Sequence, residues 1–289
     1  MTTKIEWADA TINPVVGCSH CSPGCDNCYA ERFAARMAKN PNPKISGKYA
    51  GVVDENGKWT GRVNLHMDGC LYAATVTRKP KRFFIGSMTD IFHENIPDEE
   101  IRSLFLSMTI VPNDLPTYMV LTKRPHRARA VLEDMLISCP ELHRVWLGVT
   151  VCNHDELWKL DTLREIPAAL RYVSFEPLLS GLGKVNLEGI GWVICGGETG
   201  PGARPMHPDW VRSLRDQCQA AGTPFFFKGW GEWVTENQSP EDIVLPGHST
   251  IPRGWKGRKY EDSVYRVGKR RAGRLLDGRE WNEFPEESC

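Results

Sequence analysis

Phe83-Phe84-Ile85-Gly86-Ser87-Met88-Thr89-Asp90 is a short apolar run that gives way at once to hydroxyls and a carboxylate, and the chain repeats that grammar. Tyr118 to Leu121 ends in Thr122-Lys123-Arg124-Pro125, Val145 to Val149 in Thr150, and Arg171 to Phe175 in Glu176-Pro177. Trp192 to Cys195 ends in Gly196-Gly197-Glu198, and Phe225 to Phe227 in Lys228. Helical patterns stand between the runs. The first covers about 98–110, with Ile101, Leu104, Phe105 and Met108 on one face, and others follow near 126–137, 155–165 and 209–221. Strands alternating with helices pair in parallel through right-handed crossovers. With a first strand over 11–16 there are about seven, which predicts an α/β fold, a partial or complete parallel (β/α) barrel. An open doubly wound sheet is the alternative.

In a barrel, the residue that follows an apolar run lies at the C-terminal mouth, where active-site groups gather. Ser87, Thr89, Asp90, Thr122, Lys123, Thr150, Glu176, Glu198 and Lys228 all hold that position. Each alone reads as a loop cap or a solvated charge; the row of them reads as a rim that does chemistry.

Working back toward the amino terminus, the first strand runs into Gly17-Cys18-Ser19-His20-Cys21-Ser22-Pro23-Gly24-Cys25-Asp26-Asn27-Cys28-Tyr29. Four of the chain's 10 cysteines lie between Cys18 and Cys28. Gly, Pro, Ser, Asp and Asn keep the backbone in a loop that can turn its thiolates toward one point, so a metal centre is the natural reading. A zinc ribbon normally separates its Cys-x-x-Cys knuckles by a dozen or more residues, and here only Ser22, Pro23 and Gly24 separate Cys21 from Cys25. Close runs of cysteines suit iron-sulfur cubanes, in which each iron takes one thiolate. Three ligands would leave one iron open to a small molecule; four would make an electron carrier.

Cys21-x3-Cys25-x2-Cys28 resembles the motif of the radical S-adenosylmethionine (SAM) enzymes, in the same place after a first strand. The longer stretch, Asn13-Pro14-Val15-Val16-Gly17-Cys18 with Ser22 to Glu31, resembles an uncharacterised phage-associated family of radical-SAM-like proteins with a three-cysteine motif. There the ligands match Cys18, Cys25 and Cys28. The two resemblances leave Cys18 favoured as first ligand and Cys21 as the alternative. Asn27 stands where many radical SAM motifs carry an aromatic residue. Ser-x-Thr-Asp, Thr-Lys and Phe-Glu-Pro at successive strand ends are also similar to the spore-photoproduct-lyase-like branch, over about residues 11–180. These resemblances imply a radical SAM type of barrel, a [4Fe-4S] cluster, SAM as cosubstrate, an external electron donor, and a 5'-deoxyadenosyl radical that abstracts hydrogen. They imply cofactor-binding roles for Tyr29, Ser87, Thr89, Asp90, Lys123, Thr150 and Glu176. Glu198, Arg204 and Lys228 fall to the substrate side, because the Gly-Gly-Glu triplet comes late in the chain. A nucleobase or modified nucleotide, including DNA, is the implied substrate class. The rival from another class is a zinc- or iron-sulfur-binding nucleic-acid module without radical chemistry.

Composition bounds the rest. The 289 residues are 41% hydrophobic and 25% charged, ordinary for a globular protein with a sizeable core. Lys plus Arg equals Asp plus Glu at 36 each, so no global field draws the chain to nucleic acid or membrane. The absence of a signal segment or long apolar run predicts a cytoplasmic protein with no membrane partner. The remaining cysteines (Cys70, Cys139, Cys152, Cys195, Cys218, Cys289) form no disulfide framework.

Two segments interrupt the alternation. Residues 40–76, rich in Gly, Asn, Pro and Lys, read as an insertion with a hairpin that either caps a site or decorates the surface. The division predicted is a barrel over 1–233 and an irregular basic extension over 234–289. That tail carries Lys256, Arg258, Lys259, Arg266, Lys269, Arg270, Arg271, Arg274 and Arg279 among Tyr260, Tyr265 and Trp281. Residues 255–281 are therefore the candidate nucleic-acid contact, with a solvated tail as the plainer reading.

Overall fold

The computed structural model describes residues 3, 5–109, 115–138, 142–239, 245, 249–250, 252 and 263–286, with the backbone alone over 134–138. Its elements in chain order are β1 (Ala10–Ile12), β2 (Val15–Val16), α1 (Tyr29–Ala38), α2 (Pro43–Ser46), β3 (Asn64–Leu65), α3 (Tyr72–Thr75) and β4 (Lys81–Ile85). Then come α4 (Asp98–Thr109), β5 (Pro116–Thr122), α5 (Pro125–Ser138), β6 (Val145–Thr150), α6 (Trp158–Arg164) and β7 (Leu170–Phe175). The chain continues through β8 (Trp192–Gly196), α7 (Pro208–Ala221), β9 (Phe225–Gly229), β10 (Trp233–Thr235), β11 (Val264–Arg266) and α8 (Lys269–Ala272).

Seven strands form one sheet in the order β1-β4-β5-β6-β7-β8-β9, and every pairing resolved between them is parallel. This order decides between the two fold expectations. A doubly wound sheet must reverse direction at a switch point, whereas here each new strand is added on the same side of the last. Right-handed crossovers then give the (β/α) barrel class, with seven strands instead of eight.

The chain divides into two compact units. One comprises 1–149 and 161–171, the other 150–160 and 172–289. In the first, the C-terminal part of β4 and most of β5 and β6 are buried, including Phe83, Ile85, Tyr118, Val120, Leu147 and Val149. Parallel strands covered on both faces read as unbroken apolar runs, which is why they stand out in the sequence. In the second, Tyr172, Val173, Trp192, Ile194, Phe225 and Phe227 fill the same role.

The expected first strand over 11–16 is two strands. Pro14 has no amide to donate, so pairing with β4 stops at Ile12. Val15 and Val16 turn to pair antiparallel with β3, inside the insertion. Asn13 occupies the break, its Oδ1 accepting the Ser87 hydroxyl at 3.0 Å and the Met88 amide at 3.1 Å.

The expected hairpin in the insertion is present. Val53 bridges Trp59, and the turn closes through Asp54, whose Oδ1 accepts the Lys58 amide at 2.8 Å. No helix bridges β7 and β8; residues 176–191 cross without one.

In the second unit the segment after β9 is built into the fold. β10 pairs antiparallel with β11. Residues 281–283 run against β9, the last strand of the sheet: the Phe227 amide donates to Trp281 O at 2.9 Å and the Glu283 amide to Phe225 O at 3.2 Å. An exposed edge of unpaired backbone groups is thereby covered.

Candidate metal centre

Residues 17–28 leave β2 as a loop and end at the N-terminus of α1. Ser22 Oγ accepts the Gly24 amide at 3.3 Å, capping a single turn over Pro23–Cys25, and Cys28 holds the N-cap position of α1. The loop is clamped from the insertion. The Gly61 amide donates to Cys18 O at 3.2 Å. Gly17 has φ +111°, and a Cβ there would lie 2.1 Å from Arg62 O, so only glycine allows this approach.

A second clamp is the carboxylate of Glu31, which is 2% exposed. Its Oε1 accepts the Trp59 amide at 2.8 Å and lies 3.0 Å from His20 Nε2, while Lys58 Nζ donates to Oε2 at 3.0 Å. One buried side chain of α1 therefore joins the cysteine loop to the insertion hairpin.

None of the eight described cysteines is in a disulfide; Cys139 and Cys289 lie outside the described residues. Cys21 is exposed. The neighbouring Cys21 thiol first, and then the positive charge of Lys123, lower the Cys25 thiol against burial. Pairing with Cys25, and then burial, raise Cys21. Cys18 is pushed up to about 11, by burial first and then by the charge of Asp90, with Arg124 opposing. Cys28 packs against the small apolar cluster of Val16, Ala30, Ala34, Val52 and Met88.

The end of β4 supplies the expected Ser87, Thr89 and Asp90, and the structure ties them to the loop and to β5. The Thr89 hydroxyl donates to Gly17 O at 2.6 Å. Asp90, buried, receives four donors: the Phe92 amide at 3.0 Å and the Thr122 hydroxyl at 2.7 Å on Oδ1, the Lys123 amide at 2.8 Å and Arg124 Nη1 at 3.2 Å on Oδ2. Tyr29, half exposed, donates its hydroxyl to Ser87 O at 2.9 Å.

The sequence reading passed over Arg124 as a site residue, although it stands in the strand-end quartet with Lys123. Its Nε donates to Glu94 Oε2 at 2.9 Å, and its Nη2 to Ser19 Oγ at 2.7 Å and Ser19 O at 3.2 Å. Its Nη1 also reaches Cys18 Sγ at 4.0 Å. His93 accepts the Asn95 amide on Nδ1, which leaves the proton on Nε2 for Ser19 Oγ at 2.9 Å; Ser19 in turn donates to Glu94 Oε1 at 2.7 Å. Burial, then the charge of Arg124, lowers His93 and keeps it neutral. Burial pushes the Glu94 carboxyl up, but hydrogen bonds from its own amide and from Ser19, with the Arg124 charge, take it down to about 2.

The donor set is chemically suited to a soft metal. Thiolates bind iron and zinc, Arg124 and Lys123 favour the ionised form, and the N-terminus of α1 adds its partial positive charge. Among the described residues no three His, Cys, Asp or Glu side chains converge on a single-ion position. A mononuclear zinc site takes every ligand on one ion, and a cubane takes its thiolates on separate irons.

The other expected residues lie in the second unit. Thr150 is buried, and its carbonyl accepts Lys159 Nζ at 3.2 Å. Glu176 Oε1 pairs with Lys228 Nζ at 2.9 Å, and Ser174 donates to Oε2 at 3.2 Å. A Cβ on Gly196 would stand 2.7 Å from Glu176 Oε1, so the glycine leaves room for that pair. Glu198 is buried and takes three donors of Arg204: the amide at 2.8 Å, Nε at 2.9 Å and Nη2 at 2.7 Å. Gly197 and Gly231 are demanded by the approach of the two backbones, since a Cβ on either would lie within 2.2 Å of a carbonyl oxygen.

In the tail, Tyr265 and Trp281 are buried, so their rings are not open faces for bases. Arg279 stacks over Trp281 at 3.7 Å, and Arg274 over Phe226 at 5.0 Å. Lys269, Arg270 and Arg271 are exposed on α8, while Lys256, Arg258, Lys259 and Tyr260 lie outside the described residues. Among the described residues no helix is long and apolar enough to cross a membrane.

A parallel α/β protein of the (β/α) barrel class, with a clamped four-cysteine loop after its first strand, is what fold and site define. The chain belongs to the family described as protein of unknown function (DUF5131), which it matches over residues 2–285. No curated protein matches it. Among solved structures it is similar to spore photoproduct lyase complexed with dinucleoside spore photoproduct, at TM-score 0.42 and 13% identity, covering 75% of this chain and 62% of that one. A mutant of that lyase with bound AdoMet and the same dinucleoside gives TM-score 0.39 and 14% identity, over 75% and 62%. A further mutant gives TM-score 0.40 and 12% identity, over 92% and 70%. The chain spans 62% of the length of the first two, and the molecules in those structures belong to the lyase.

Proposed function

We propose that the chain is a radical SAM enzyme whose [4Fe-4S] cluster is held by Cys18, Cys25 and Cys28. The observation that carries this reading is the loop itself: thiols outside any disulfide, between two clamps at the open end of β1 and β4. Cys18, Cys25 and Cys28 would hold the cluster, which would supply one-electron reductive cleavage of SAM: an electron from an external donor would break the C5'–S bond, methionine would leave, and a 5'-deoxyadenosyl radical would be available for hydrogen abstraction.

The chain's own residues bind and orient. Tyr29 and Ser87 form one polar edge beside the loop, joined by their 2.9 Å hydrogen bond. Lys123 brings a positive charge to the cysteines, suited to the SAM carboxylate, and Asp90 fixes the Lys123 backbone. Thr89 anchors the loop; Thr150 and Glu176 are proposed for the cofactor from the sequence resemblance alone. Glu198, Arg204 and Lys228 are assigned to the substrate, a nucleobase or modified nucleotide in DNA. With equal numbers of acidic and basic residues overall, a nucleic acid would be held by a local patch, and Lys269, Arg270, Arg271 and Arg279 are exposed basic candidates.

The test is metal content and colour. Anaerobically purified or reconstituted protein should be brown, bleach with oxidant, and contain about four iron and four sulfide per chain. Colourless protein with one tightly held zinc would support the rival reading, a structural cysteine loop in a nucleic-acid-binding module.

A further inference from the structure

We propose that Arg124 is the positioning residue that makes Cys18, and not Cys21, the first ligand of the cluster, and that its charge tunes the cluster's reduction potential. The inference rests on the radical SAM reading above and concerns a residue that the cysteine motif does not contain.

The geometry treats the two candidate cysteines differently. Cys18 is held on both sides: Gly61 donates to its carbonyl at 3.2 Å, and Arg124 Nη2 grips the next residue through Ser19 O and Ser19 Oγ. The guanidinium is only 11% exposed, and it is fixed in turn by Asp90 at 3.2 Å and Glu94 at 2.9 Å. Such a planar fork, immobilised by two carboxylates, presents its remaining N–H direction to Cys18 Sγ at 4.0 Å. Cys21, in contrast, has an exposed thiol. Cys25 and Cys28 are common to both possible ligand sets, so the choice lies between a held thiol and an exposed one.

A cation and an N–H directed at a ligand sulfur stabilise the more negative, reduced cluster. Arg124 should therefore raise the potential for uptake of one electron, with no bond made or broken in the protein. A residue that only supported the fold would alter stability and leave the potential of a loaded cluster where it was.

The experiment is an EPR-monitored dithionite titration with iron and sulfide analysis of reconstituted wild type, Arg124→Gln, Arg124→Lys, Cys18→Ser and Cys21→Ser. Expected in the wild-type background is loss of most iron from Cys18→Ser and full loading of Cys21→Ser. Arg124→Gln should move the midpoint to more negative potential. Adding Cys21→Ser to Arg124→Gln should then lower the iron content, because Cys18 without its clamp binds weakly and Cys21 is no longer there to substitute. Circular dichroism of the apo proteins checks folding; if Arg124→Gln does not fold, Arg124→Lys carries the test, keeping the charge and potential but losing the preference for Cys18 because it lacks the fork. An unshifted midpoint in loaded Arg124→Gln, or full iron in Cys18→Ser, overturns the proposal. Wild type that takes up zinc and no iron overturns the radical SAM reading with it, and the metal analysis distinguishes these failures.

Discussion

The Asp90 carboxylate accepts the Thr122 hydroxyl at 2.7 Å, joining the ends of two neighbouring parallel strands, β4 and β5, directly beside the cysteine loop. The same carboxylate holds the Lys123 amide and Arg124. Asp90→Ala leaves a largely buried guanidinium without this partner, for which about 3–5 kcal/mol of destabilisation is expected. Urea unfolding of the apo protein measures it. A loss under about 1 kcal/mol would contradict the role of Asp90 as the hub of this corner.

Glu31 makes a parallel prediction for the insertion. Glu31→Gln keeps an oxygen for the Trp59 amide but weakens the bond from Lys58, and hydrogen bonds to a charged group contribute about 1.5–3 kcal/mol. Faster proteolysis within 40–76, with the rest of the chain still protected, is the expected result. Unchanged cleavage of that segment would mean that the insertion is held elsewhere.

Gly17→Ala should be more damaging than its size suggests. The new methyl would meet Arg62 O at a positive φ, so the insertion must retreat from the loop. We expect about 2–3 kcal/mol lost, or no soluble protein. Gly47→Ala is the control, because a Cβ there meets nothing within 4 Å.

Acid sensitivity should be visible at Asp277, which links the tail to α7. Arg212 first, then Arg215 and Gln238, hold its carboxyl down at about 2 against an ordinary value of 3.8, with burial opposing. A carboxyl lowered in the folded state stabilises above its unfolded value and loses that contribution as pH falls through the folded value. Wild type should therefore exceed Asp277→Asn in thermal stability at pH 6, and the gap should close between about pH 4 and pH 2. A gap that is constant across that window would contradict the assignment.

The strands and helices were legible because parallel strands buried on two faces leave apolar runs and the helices between them keep a 3.6-residue stripe. That polar residues stand at or just after the strand ends followed from the same pattern. What the pattern could not show is where a side chain leaving a strand end will point. Arg124 looked no different from Lys123, yet it is the one that spans Ser19, Asp90 and Glu94. Asn13-Pro14 carried a break signal inside an otherwise strand-like run, and the break is what frees Val15 and Val16 for the insertion. Two rings of the tail are not where arginine neighbours suggested. Tyr265 lies in β11 against β10, Trp281 lies beside the edge of β9, and both are buried.

The central claim meets its most direct test in one measurement, the yield of 5'-deoxyadenosine when anaerobically reconstituted protein is incubated with SAM and dithionite. The account predicts that the nucleoside forms with wild type and is abolished in Cys25→Ser. A fully loaded cluster that leaves SAM intact under these conditions would contradict it.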